Sequence, residues 1–173
     1  MHFIPYMIGA GFDSSTAAVA TGAIGLMQVG GRVLFAPLER RLSMRTLMVA
    51  IFGLQTFSLA LLLAGNSAFV FGVFILLFGA AQGAGTLARP AILANLYGAA
   101  NFGRIASIMT IFLTAASTTA PLMASLIYDG TCSYQPVVWV VVAFGTASTG
   151  VALLARREIV RTSAPAVSPA NAA

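Results

Sequence analysis

An all-α, multi-pass transmembrane helix bundle is the fold class this sequence predicts, and three observations predict it. The chain is 59% hydrophobic and only 8% charged, with a mean hydropathy of +0.94. A soluble domain carries about three times that charged share. Every basic residue is an arginine, and the arginines form three clusters: Arg32, Arg40, Arg41 and Arg45; Arg89 and Arg104; Arg156, Arg157 and Arg161. Roughly 40 to 50 mostly apolar residues, charged only at Asp129, separate neighbouring clusters, which is enough for two crossings at about 20 residues per helix. Each pair of crossings returns the chain to the side it left. All the arginines then share one side, and the positive-inside rule makes that side cytoplasmic.

Taken in order, residues 1–12 are apolar and read as the outer end of a truncated transmembrane helix. They lack a basic n-region, so no cleavable signal is expected ahead of the first span. The bundle proper is expected over residues 13–157, with five full spans at 14–35, 47–64, 68–88, 105–128 and 137–155. Gly65, Asn66 and Ser67 make a turn so short that the spans on either side must be antiparallel neighbours. The third span returns at Arg89 and Pro90 to a loop over 91–104, and residues 129–136 form an external turn. Asp13 and Asp129 fall outside, while Glu39 and Glu158 lie among the arginines. Residues 158–173 read as a disordered cytoplasmic tail, rich in Ala, Pro and Ser from Thr162 onward. Five spans ending inside put the N-terminus outside, partway through a helix. The expectation is therefore a fragment, a truncated gene product or a misplaced start.

Polar residues inside the spans fall into stripes. Thr21, Gly25, Gln28 and Arg32 share one helical face of the first span, and Gly79, Gln82, Thr86 and Arg89 share one of the third. The fourth carries Ser107, Thr110, Thr114, Ser117, Pro121 and Ser125. The second offers chiefly Gln55, and the fifth has Thr146, Ser148 and Thr149 with no charge or amide. A polar face in hydrocarbon is costly unless it meets protein or water. Two uses compete: close packing of small residues between helices, or the lining of an aqueous cavity. Small side chains favour packing, whereas Gln28 and Gln82 each carry an amide with several hydrogen-bonding positions to satisfy. The cavity reading makes Gln28, Arg32, Gln82, Thr86, Arg89, Thr114 and Ser117 the candidate substrate-binding residues, Arg32 and Arg89 forming an electropositive collar near the cytoplasmic mouth. Alternatively, both arginines snorkel to the headgroups. Pro121 is expected to bend the fourth span, with the hydroxyls of Ser117 and Thr118 re-satisfying freed backbone groups.

Several functions are disfavoured. Without lysine or a basic run interleaved with aromatics, the net charge of +5 does not signal a nucleic-acid partner. One cysteine and one histidine give neither a disulfide framework nor a multi-residue metal site. No acid lies within a span, so an intramembrane enzyme or cofactor site is not expected.

The segments in order resemble the C-terminal half of a major facilitator superfamily transporter. His2 to Tyr6 is similar to the outer end of that fold's seventh helix, and Met27 to Arg32 followed by Phe35 to Leu38 is similar to the end of its eighth. Leu96, Tyr97 and Gly98 with Asn101 to Arg104, then Ala120, Pro121, Tyr128, Asp129 and Gly130, resemble helices ten and eleven of the monocarboxylate and oxalate–formate exchanger-like branch. In the loop after helix eight, Arg41 and Arg45 match the family pattern, while Ala36, Arg40 and Ser43 stand where it has Gly, Asp and Gly. The resemblance implies alternating-access transport of a small solute, an organic anion for that branch, held between two six-helix halves. The partner half would lie elsewhere, and the membrane would be the bacterial cytoplasmic membrane. It also implies that helices eight, ten and eleven line the cavity, which are the three striped spans. The competing expectation is an inactive or regulatory membrane fragment of a truncated transporter gene.

Overall fold

The computed structural model describes residues 3–65, 67–131 and 133–154. His2, Asn66, Cys132, the third arginine cluster and the 158–173 tail lie outside the described residues. Among the described residues there are six helices and no strand: α1 (Phe3–Gly9), α2 (Ser14–Arg41), α3 (Met44–Leu61), α4 (Ala68–Asn95), α5 (Asn101–Thr131) and α6 (Gln135–Leu154). The last five are long and apolar enough to cross a membrane. The chain is an all-α membrane helix bundle.

The helix ends follow local chemistry. Asp13 caps α2, accepting the backbone N–H groups of Ser15 and Thr16, both at 3.1 Å. Gly11, at φ 96, separates α1 from that cap. α2 was expected to end at residue 35, yet it continues through Pro37 to Arg41. Helix formation does not stop at the edge of the hydrocarbon, and Arg40 and Arg41 in the last turn favour the negative end of the helix dipole. α3 begins at Met44, three residues earlier than expected, because the Ser43 hydroxyl accepts the N–H of Thr46.

The loop expected over 91–104 is largely helical. α4 runs past Arg89 and Pro90 to Asn95, because Ile92 and Leu93 are buried, Ile92 in a cluster with Phe35 and Leu47. A proline removes one helical hydrogen bond, and this burial offsets that loss. The only backbone between Ala68 and Thr131 that leaves helical geometry is Gly98, at φ 69 and ψ 169. That region is open essentially to glycine alone, so a single residue divides α4 from α5.

α4 is the hub. α2 packs along one side of it, Gly31 against Ala80 and Gly79 against Met27, and α3 along another, Ile51 against Gly85 and Gln55 against Gln82, while α6 packs on α3, giving the order α2–α4–α3–α6. α5 stands apart, with Ala124 its one buried residue. Two hydrophobic clusters mark the bundle's ends. Phe35, Leu47, Ile51, Ala88 and Ile92 gather at one, and Met7, Ala17, Ala20, Leu62, Phe71, Phe74 and Val138 at the other.

Candidate functional site

The polar stripes of α2 and α4 meet neighbours in different ways. At the α2–α4 crossing the helices touch backbone to backbone. A Cβ on Gly79 would lie 2.6 Å from the Cβ of Met27, one on Gly83 would collide with the carbonyl of Gln28, and one on Gly31 with that of Ala80. The spacing of Gly79 and Gly83 thus serves close approach. It also brings the half-buried Gln28 to the centre of the contact. Arg32 follows one turn later and is exposed.

On α4 the stripe emerges between the α2 and α3 contacts. Gln82 does not stand alone there: its Oε1 accepts a hydrogen bond from Nε2 of Gln55 on α3 at 2.6 Å. The resemblance leaves the span that carries Gln55 out of the cavity lining. The available signal was two amides on consecutive spans, each needing a partner in an apolar setting. The Thr86 hydroxyl donates to the carbonyl of Gly83 at 2.7 Å. Arg89 is exposed and, with Gln55, Met48 and Ile51, borders a small cleft between α3 and α4.

Thr114 and Ser117 lie exposed on α5. The hydroxyls of Ser117 and Thr118 both donate to the carbonyl of Thr114 at 2.9 Å. The carbonyl four residues before Pro121 belongs to Ser117, so these hydroxyls do not serve it as expected. Ser107 and Thr110 also donate to their own helix, at 2.8 Å each. The α5 stripe is thus largely self-satisfied as donors while keeping acceptor oxygens on its face. In sum, Gln28 and Gln82 sit at the crossing seams of α4, Arg32 and Arg89 lie towards one end, and Thr114 with Ser117 stand apart on α5.

Comparison with family models, curated proteins and solved structures found no match.

Charge divides the bundle along its length. Arg32, Arg40, Arg41, Arg45, Arg89 and Arg104 lie at the ends of α2, α3, α4 and α5 nearest the Phe35–Ile92 cluster. Arg45 donates to the carbonyl of Leu153 near the end of α6, a cation placed on a helix C-terminus. Asp13 and Asp129 lie at the opposite end. The Ser15 and Thr16 hydroxyls, with the backbone N–H of Thr16, hold the Asp13 carboxyl well below the usual carboxylate range.

The same end contains a feature that sequence reasoning missed. Tyr6, Tyr128 and Tyr134 border a cavity of about 510 Å³ between α1, the end of α3, the end of α5 and the start of α6. Tyrosines at span ends suggest interfacial anchors when read one at a time. Their convergence depends on how the helices pack.

Proposed function

We propose that this chain is the C-terminal half of a transporter of the major facilitator type, moving a small solute by alternating access. The observation that carries this reading is α5, a long apolar helix whose hydroxyl face stays uncovered beside a closely packed α2–α4–α3–α6 row. Such a face in a membrane calls for water or a further protein surface. A partner half would supply that surface, with solute between the halves. Gln28, Arg32, Gln82, Thr86, Arg89, Thr114 and Ser117 would border the route, and the two arginines favour an organic anion on the cytoplasmic side. Gln82, already accepting from Gln55, keeps its N–H donors for the solute. The arginine-bearing end would face the cytoplasm of a bacterial cell.

Uptake of labelled mono- and dicarboxylates by cells expressing the intact gene tests this. Arg89→Gln and Gln28→Ala, at unchanged membrane abundance, should each lower uptake at least about tenfold, the equivalent of ~1.4 kcal/mol. Uptake indistinguishable from wild type in both variants would remove these residues from the route. Absence of any uptake above an empty vector would favour a regulatory membrane fragment.

A further inference from the structure

The tyrosine-bordered cavity at the aspartate end has a consistent electrostatic character. Three of the chain's four tyrosines border it. The rings of Tyr128 and Tyr134 stack with centroids 4.3 Å apart, and Tyr6 meets Tyr134 edge-on at 6.1 Å. Tyr6 donates its hydroxyl to the carbonyl of Leu62 at 3.2 Å, so its oxygen offers lone pairs to other groups. Three helices reach the cavity by their C-terminal ends: α1 at Gly9, α3 at Leu62 and Leu63, and α5 at Tyr128. Helix C-termini carry partial negative charge, and aromatic faces present the negative side of their quadrupole. One helix opposes them, since α6 begins here, but the N–H of Gln135 is taken by the Ser133 hydroxyl at 3.2 Å. Asp129 follows Tyr128 directly, and no described lining residue is cationic.

The tyrosine rings and the helix-end carbonyls that border the cavity favour a positive guest, and the aromatic wall disfavours a small, strongly hydrated ion. We propose that this cavity binds a substituted ammonium group, carried either by a free organic cation or by an aminophospholipid headgroup at that membrane face. The site does not depend on the transport reading.

Choline and its uncharged carbon isostere, 3,3-dimethylbutanol, decide the matter when titrated calorimetrically into the full chain. The protein is held in nanodiscs of phosphatidylglycerol, with empty discs subtracted. Choline should bind at least about tenfold more tightly than the isostere. Tyr128→Ala and Tyr134→Ala should each weaken choline severalfold, and Tyr134→Phe, which keeps the ring, should not. Adding phosphatidylethanolamine to the discs identifies the source. A fall in apparent choline affinity means that the headgroup occupies the site, and unchanged affinity means that a free cation does. Equal binding of choline and the isostere would overturn the proposal. So would choline affinity that is unaltered in both alanine variants, or no binding in discs lacking aminolipid. The isostere comparison uses only the unaltered chain, so it stands even if the alanine variants fail to fold.

Discussion

Gln55 and Gln82 lie on different helices, and each resolves the other's problem. An amide in an apolar setting loses its bonds to water, and here the two recover one bond between them. Truncating one partner strands the other. Gln82→Leu alone should therefore destabilise the bundle by about 1 kcal/mol, the order found for hydrogen bonds between membrane helices. The Gln55→Leu, Gln82→Leu double variant should recover part of that loss, because both polar groups are then gone. Thermal unfolding in detergent, arranged as a double-mutant cycle, measures the coupling. Asp13 makes a different residue-scale prediction. Its folded pKa lies below the unfolded value, so its capping contribution is complete above the ordinary carboxylate range and declines as pH falls below about 4. Asp13→Asn keeps a side-chain oxygen for the cap but cannot titrate. The variant should lose less thermal stability than wild type on acidification through that range. The amide positions were legible in the sequence because glutamines are conspicuous in apolar spans. Their pairing was not, since no spacing rule links residue 55 to residue 82.

The α2–α4 crossing is the contact on which the order of the elements rests. Gly83→Ala places a methyl group against the carbonyl of Gln28, with no flexible side chain to yield, so the helices must separate. The expected loss is about 1–3 kcal/mol, the range for overpacking a filled interface. Gly25 belongs to the same α2 stripe but meets nothing within 4 Å. Gly25→Ala should therefore be neutral or stabilising by up to about 1 kcal/mol, through helix propensity. Side-by-side denaturation of the two variants checks both. Helical periodicity placed Gly25 and Gly79 on the striped faces of the first and third spans. It could not tell which glycines of α2 would touch a neighbour, because a repeat describes one helix and not its partner. Element ends were similarly half legible. The apolar runs located the five long helices, but capping at Ser43 and burial of Ile92 and Leu93 moved their boundaries.

Across the whole molecule, the arginines of the described residues gather at one end, while Asp13, Asp129 and the tyrosine-bordered cavity lie at the other. If the arginine end is cytoplasmic, a reporter fused at Ser67 should register outside, and one fused at the C-terminus should register inside. Paired alkaline phosphatase and fluorescent protein fusions at both sites measure this, and the same compartment for both would refute the threading. Fold class, the positions of the five long helices and the clustering of arginines were determined by the sequence alone. Hydrophobic length and charge distribution act along the chain, and the bilayer sets the length scale. The tertiary structure decided that α4 is the hub, that Gln82 is bonded to Gln55, that α5 stands aside and that three tyrosines border one cavity. Each of these depends on which helix faces come together, and that is settled by shape and hydrogen bonding between segments far apart in the chain.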